Sequence, residues 1–228
     1  MADPTTVVLV HGAWHGAWCW DKVVALLDEA GIATHATELP FTSFDDDVRA
    51  TSGALDRIDG RVVLCGHSYG GAVITQAGTH PSVEHLVYLT AFACDVGESP
   101  SATAVEENLP FTAINDALVF RDDGASMSVD PAKAAAVFYH DCDPADIEAA
   151  ISRLRPVNLS CVTTPTTSAA WRDRPSTYVV CTEDRALHLE LQRHLATRCT
   201  TSVDFATAHS PFLNRPELVA DLLEGLTR

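Results

Sequence analysis

The chain has 228 residues, enough for one domain with a substantial core, and its 46% hydrophobic and 20% charged residues exclude a disordered polypeptide. Acidic side chains number 31 against 15 basic ones, giving a formal charge of −16. Such a surface repels phosphate backbones and anionic lipid headgroups, so we expect no nucleic-acid or membrane partner.

The seven cysteines are scattered along the sequence and never form a C-x-x-C pair. This spacing favours reduced thiols over a disulfide framework or a zinc site. The sequence begins without a basic and apolar leader, and no apolar run approaches the length of a bilayer span. We therefore expect a cytoplasmic protein.

Short apolar runs alternate with helical patterns, which is typical of a parallel sheet with crossover helices. Strands are predicted at Thr6–Val10, Ile32–Leu39, Arg61–Cys65, His85–Phe92, Thr177–Cys181 and Thr201–Phe205. Apolar residues at spacings of three and four predict helices at Trp18–Ala30, around Val48–Ile58, and at Ala72–Thr79, Leu187–Leu195 and Glu217–Leu226.

Residues 99–173 break this rhythm and contain alanine-rich helical stretches at Pro131–Tyr139 and Pro144–Leu154. We therefore predict a single α/β domain over residues 1–228. It has a mostly parallel six-stranded sheet, flanking helices and a helical cap inserted at about 99–173. The cap is expected to cover the sheet edge where the functional loops emerge.

A glycine-rich turn, G-H-S-Y-G-G at Gly66–Gly71, follows the third predicted strand directly. Its G-x-S-x-G pattern between a strand and a helix predicts a tight elbow that lifts the Ser68 hydroxyl above the sheet, at a helix N-terminus. Side chains two positions either side of the serine would clash in such a turn. Ser68 is therefore the candidate nucleophile, and a plain surface turn is the alternative.

A serine hydroxyl becomes an effective nucleophile only when a base takes its proton. In the order serine, acid, histidine that accompanies this elbow, the histidine lies on the loop after the last strand. His209 has that place, and we predict that it is the base. Its competitors, His188 and His194 in a predicted helix and His140 in the cap, are expected to be surface residues.

The loop after the preceding strand should carry the carboxylate that orients the histidine. Asp184 is the predicted acid. Glu183 is an alternative, because either carboxylate could reach an imidazole nitrogen. Asp95, just beyond the fourth strand, is a third candidate.

An acyl-transfer transition state needs N–H donors for its oxyanion. We predict the backbone N–H of Tyr69, which follows the nucleophile, and that of Ala13 in the loop after the first strand. Gly12 would keep that loop open to the substrate. His11 and His15 stand four apart, but the surrounding glycines argue against a helix, and no acidic or cysteine partner is near. No metal site is predicted.

Several motifs occur in one order along the chain: the opening run Val7–Trp20, the elbow at Ser68, Val180–Asp184 and His209–Leu213. This order resembles the α/β-hydrolase superfamily, in particular bacterial pyrethroid-type carboxylesterases and the plant branch of methyl-salicylate esterases and hydroxynitrile lyases. The cap run Phe138–Cys142 is also similar to the bacterial esterases. The similarity of pattern extends over most of the chain.

The resemblance implies an α/β-hydrolase fold, an acyl-serine intermediate, no cofactor and a small-molecule ester as the partner. It also implies a mostly apolar pocket under the cap, and a homodimer is left open. The residues predicted to line the pocket are Gly12, Trp14, Tyr69, Phe111, Phe120, Phe138, Tyr139 and Trp171. Simple packing of the cap onto the core is the alternative for the cap aromatics.

Departures from related patterns narrow the activity. Lyases of this branch carry a threonine in place of Gly12 and a lysine in place of Ser210, and related dehalogenases and epoxide hydrolases have an aspartate in place of Ser68. We therefore predict a serine carboxylesterase acting on small short-chain or aryl esters. A thioesterase, lactonase, amidase or carbon–carbon hydrolase on the same residues stays open, as does a binding protein that has lost catalysis.

Overall fold

The computed structural model describes residues 5–106, 109–121 and 124–228. Its strands, numbered in chain order, are β1 (Thr5–Val10), β2 (Ala33–Thr37), β3 (Arg61–His67), β4 (Val83–Leu89), β5 (Leu118–Phe120), β6 (Ser126–Val129), β7 (Val157–Asn158), β8 (Ser176–Cys181) and β9 (Thr201–Phe205). Its helices are α1 (Asp21–Glu29), α2 (Phe44–Leu55), α3 (Tyr69–Ala77), α4 (Pro100–Glu106), α5 (Ala113–Ala117), α6 (Pro131–Phe138), α7 (Pro144–Ser152), α8 (Leu159–Thr163), α9 (Leu189–Ala196), α10 (Pro211–Asn214) and α11 (Pro216–Gly225).

The main sheet has six parallel strands in the order β2-β1-β3-β4-β8-β9. Its central strands are runs of branched apolar residues, and Val7–Val10 in β1 are fully buried. Strands covered on both faces are expected to be apolar throughout in this way. With α1 packed on α11 and α2 on α3, the predicted α/β fold with flanking helices is confirmed.

Several element ends differ from the sequence prediction for local reasons. Helix α3 begins at Tyr69 rather than Ala72, because its first turn contains the elbow glycines. Strand β4 ends at Leu89, because Thr90 has a left-handed backbone with φ of 40°. Helix α9 begins at Leu189, two residues later than predicted.

The segment between β4 and β8 contains α4 to α8 and a small antiparallel sheet in the order β5-β6-β7. That sheet was not predicted, because strands of two to four residues are too short to display an alternating pattern. The limits of the cap, about 99–173, stay a prediction. In the part of the chain that the structure describes, no helix is long and apolar enough to cross a bilayer.

Candidate active site

The candidate nucleophile Ser68 occupies the junction of β3 and α3 in a strained conformation, with φ of 51° and ψ of −120°. The two flanking glycines allow this turn. A Cβ at Gly66 would lie 2.6 Å from the carbonyl oxygen of Gly70, and one at Gly70 would lie 2.6 Å from that of Val10. Strained residues of this kind persist where the surrounding structure fixes them, and they concentrate at functional sites.

The two predicted oxyanion donors belong to neighbouring turns. Tyr69 is the first residue of α3, where backbone N–H groups have no partner within the helix, and Ala13 lies in the turn after β1. Both residues line the same cavity as Ser68. The Tyr69 hydroxyl donates to Oδ2 of the buried Asp47 at 2.6 Å, which anchors this residue to α2. The first turn of α3 and the turn after β1 can therefore present the N–H groups of Tyr69 and Ala13 to an anionic oxygen.

His209 lies on the loop after β9, on the wall of that cavity. Its ring Nδ1 donates to Asp184 Oδ2 at 2.7 Å, and the two side chains are 3% and 0% exposed. With Nδ1 so occupied, Nε2 is the ring nitrogen that remains available to accept a proton. A hydroxyl, an imidazole and a carboxylate in this relation can activate the serine as a nucleophile.

Asp184 is held by several donors besides His209. Thr90 Oγ1 donates to its Oδ2 at 2.5 Å, and its Oδ1 accepts the backbone N–H groups of Ala186 at 2.7 Å and Leu187 at 3.0 Å. The carboxylate therefore accepts hydrogen bonds from two backbone N–H groups in the loop that precedes α9. The arrangement fixes the orientation of the acid and, through it, that of the imidazole.

The other two candidate acids have different surroundings. Glu183 is exposed, and its backbone N–H donates to Thr207. Asp95 binds the guanidinium of Arg172 with both oxygens, and this contact lowers the pKa of the Asp95 carboxyl. Of the three carboxylates, Asp184 is therefore the one that contacts His209.

The cavity above Ser68 has a volume of about 380 Å³. Among the described residues that line it there is no Asp, Glu, Lys or Arg side chain, so its surface is mostly apolar with a few neutral polar groups. Its aromatic lining residues are Trp14, Tyr69, Phe92, Phe120 and Phe138, and its polar ones are Ser68, Ser101, Asn115, Thr163 and His209. Such a surface suits a small neutral ligand.

Four residues predicted to line the pocket lie elsewhere. Phe111 is 88% exposed, whereas Tyr139 is fully buried and donates its hydroxyl proton to His15 Nε2 at 2.7 Å. Trp171 points away to the carbonyl of Cys94, which accepts from its ring nitrogen at 2.8 Å. Gly12 packs behind the elbow, where a Cβ would lie 2.9 Å from that of Ser68. These positions correct the predicted lining.

Two further histidines, His11 and His15, are buried beneath the site and have structural contacts. His11 Nδ1 donates to Gly12 O and its Nε2 accepts from Leu39 N, while His15 Nδ1 donates to Ala13 O. Burial lowers the pKa of His11 to about 3 and that of His15 to about 4, so both rings are neutral near pH 7. The described residues contain no group of three or more potential ligands arranged to hold a metal ion.

His67, within the elbow itself, is a site neighbour that the sequence analysis did not single out. Its Nε2 donates to the backbone carbonyl of His209 at 2.8 Å, and the two rings lie 4.6 Å apart. Thr90, which donates to Asp184, was also not predicted to belong to the site. A position inside a motif or directly after a strand is the only sequence signal that either residue offered.

A model of the alpha/beta hydrolase family matches residues 7–222 of the sequence. The chain belongs to the alpha/beta hydrolase family. The predicted resemblance is thereby confirmed, as is the prediction that the chain is a hydrolytic enzyme.

This hydrolase has curated relatives of similar length. An alpha/beta hydrolase of Aspergillus novofumigatus is 29% identical over 242 residues, which cover 96% of this chain and 95% of the fungal protein. Methylesterase 1 of Arabidopsis thaliana is 28% identical over 243 residues, which cover 94% of this chain and 92% of the plant protein. The similarity therefore spans nearly the whole hydrolase.

A solved structure has the same fold as this hydrolase. The crystal structure of a pyrethroid hydrolase from Sphingobium faniae superimposes on this hydrolase with a TM-score of 0.86 and 26% sequence identity. The superposition covers 98% of this chain and 97% of that one. The sheet and the segment that covers it are therefore similar in the two proteins.

Proposed function

We propose that this hydrolase cleaves small short-chain or aryl carboxylic esters through an acyl-enzyme intermediate on Ser68. The observation that carries the proposal is the buried Asp184–His209 pair beside an apolar cavity that also contains Ser68 and the turns of Ala13 and Tyr69. The names of the plant methylesterase and of the bacterial pyrethroid hydrolase support ester hydrolysis as the reaction.

In this mechanism the Ser68 oxygen attacks the ester carbonyl carbon while His209 Nε2 takes the hydroxyl proton. The carbonyl oxygen becomes an anion and receives hydrogen bonds from the N–H groups of Ala13 and Tyr69. The bond to the alcohol then breaks, and His209 returns the proton to the leaving oxygen. Water, deprotonated by His209, releases the acid from Ser68 and restores the hydroxyl.

The test is hydrolysis of p-nitrophenyl esters of increasing acyl length by the wild type and by Ser68→Ala. We expect activity highest on short acyl chains and a decrease in kcat of at least about 10³-fold in the variant, because no acyl-enzyme can form. Failure of the wild type to hydrolyse any of these esters would contradict the proposal. Labelling of Ser68 by a fluorophosphonate would then identify an active serine with another acyl substrate.

A further inference from the structure

One carboxylate from the covering segment contacts both the loop that carries His209 and helix α10, which follows that loop. Asp141, between α6 and α7, accepts with its Oδ2 from Ala208 N at 2.6 Å and from Asn214 Nδ2 at 2.7 Å. Asn214 Nδ2 also lies 3.3 Å from the backbone carbonyl oxygen of Asp141. Because Ala208 precedes His209 in the loop and Asn214 is the last residue of α10, a single oxygen joins the loop to the end of the helix that follows it.

The same segment also contacts His209 directly. The ring of Phe138, three residues before Asp141, lies 5.6 Å from the imidazole at an angle of 32° and lines the cavity. The next residue, Tyr139, is fixed by its hydrogen bond to His15. The run Phe138–Cys142 is thus anchored to the core on one side and bonded to the histidine loop on the other.

Three neighbours form hydrogen bonds with His209 or with the residue before it. Asp184 orients the ring, His67 holds the carbonyl, and Asp141 holds the preceding N–H. Of these three hydrogen bonds, the first is the one that the imidazole makes. Hydrogen bonds to an ionised carboxylate are stronger than neutral ones, so the contact at Ala208 resists displacement of the loop.

We propose that Asp141 is a positioning residue that sets the place of His209 relative to Ser68. The inference rests on the proposed function, in which His209 transfers the proton. Asp141 acts through geometry and touches neither substrate nor imidazole. Loss of the two hydrogen bonds to its Oδ2 frees the loop at Ala208 and removes its link to α10, without changing a residue that lines the cavity.

The main experiment compares Asp141→Ala with Asp141→Asn and Asp143→Ala in ester hydrolysis. Asparagine still offers one oxygen to Ala208 and Asn214, whereas alanine offers none. We expect kcat to fall about 10- to 100-fold in Asp141→Ala with little change in KM, because misplacement of a catalytic group impairs the chemical step. Asp141→Asn should recover most of the lost kcat.

Asp143→Ala is the matched control. Asp143 is an exposed carboxylate two residues further along, and its side chain caps no N–H group of α7. Its removal changes the net charge as Asp141→Ala does but leaves the histidine loop bonded. We expect its kcat to equal that of the wild type.

A second readout needs no substrate and so separates this inference from the proposed ester activity. The ring proton on His209 Nδ1, assigned by its loss in His209→Gln, should give a proton NMR signal far downfield in the wild type and in Asp141→Asn. In Asp141→Ala we expect that signal to broaden or exchange rapidly with water. If Asp141→Ala does not fold, Asn214→Ala, which removes one of the two donors to Asp141 Oδ2, should show the same changes to a smaller degree.

Two results would overturn the proposal. One is an Asp141→Ala enzyme whose kcat and His209 signal match those of Asp143→Ala. The other is an equal loss of kcat in Asp141→Asn and Asp141→Ala, which would assign the effect to the charge rather than to the position of the loop.

Discussion

Asp184 illustrates how one side chain at this site depends on others. Its Oδ2 receives both the ring N–H of His209 and the hydroxyl of Thr90, and its Oδ1 receives two backbone N–H groups. A buried carboxylate with all these partners has one orientation. The hydrogen bond to Asp184 fixes the orientation of the imidazole in turn. In the proposed mechanism Asp184 therefore affects proton transfer, although it does not line the cavity.

Thr90→Val tests this dependence. The variant keeps the branched shape but removes the hydroxyl that donates to Asp184, at an expected cost of about 2 kcal/mol in unfolding free energy, since hydrogen bonds to charged groups contribute about that much. We expect kcat for a p-nitrophenyl ester to fall about tenfold. Thr90→Ser, which keeps the hydroxyl, is the control; equal losses in both variants would argue against the hydrogen bond.

The residues around the cavity could be predicted only in part. The neighbourhood of Ser68 and His209 follows from motifs attached to strand ends, and the structure brings both to one cavity, although their catalytic roles stay predictions. The aromatic side chains of the cap belong to no such motif, so their positions could not be predicted. Phe120 lines the cavity, whereas Phe111 is exposed to solvent. Asp141 and other tertiary partners are separated from the site in sequence, so no local pattern reveals them.

At the scale of elements, α3 packs directly on the end of β1. Gly70 in the first turn of α3 lies against the carbonyl oxygens of Val10 and His11, where a Cβ would approach both within 2.7 Å. Backbone therefore meets backbone, with no flexible side chain between them that could adjust. The elbow keeps its place relative to the turn of Ala13 through this contact.

Gly70→Ala should therefore destabilise the protein, by about 1–3 kcal/mol for an overpacked site. Gly53→Ala is the matched control in α2, where the nearest atom to a new Cβ is the Arg57 guanidinium at 3.8 Å. We expect that variant to gain about 0.5–1 kcal/mol, since alanine favours a helix over glycine. Urea unfolding measures both values. A Gly70→Ala protein as stable as the wild type would contradict the close contact.

The order of elements could be predicted because the central strands β1 and β3 contain continuous apolar runs and the longer helices have their own periodicity. The ends of elements depend on tertiary partners and were less accurate. β2 ends at Thr37, where its partner β1 ends at Val10, although the apolar pattern continues to Leu39. The small sheet of β5, β6 and β7 was not predicted, because its short strands are defined by their pairing rather than by their composition.

For the molecule as a whole, the buried histidines make stability depend on pH. His11, His15 and His67 are at most 1% exposed, and burial lowers the pKa of each. In the unfolded chain the same rings titrate near pH 6.5. Below that pH the unfolded state binds more protons than the folded state, so the free energy of unfolding decreases as the pH falls.

We expect this loss to begin below pH 6.5 and to continue to about pH 4 for His15 and about pH 3 for His11. At pH 5 it should reach about 2 kcal/mol for each of His11 and His15, at 1.36 kcal/mol per pH unit. His11→Gln, whose amide oxygen can still accept from Leu39 N, should remove about 2 kcal/mol of the difference measured by urea unfolding at pH 7.5 and 5.0. An equal difference in His11→Gln and in the wild type would contradict His11 as a source of the pH dependence.

The pairing of β4 with β8 gives the folding of this chain a particular order. Leu86 pairs with Ser176, so the whole covering segment must be looped out before the two strands can join. Closing so long a loop costs chain entropy, and this cost is offset only late in folding, when the contacts between the two strands form. A chain with only its first four strands folded would display Ser68 while Asp184 and His209 remained unstructured. We therefore expect the proposed catalytic site to be completed late in folding, when residues 176–228 dock on the first four strands.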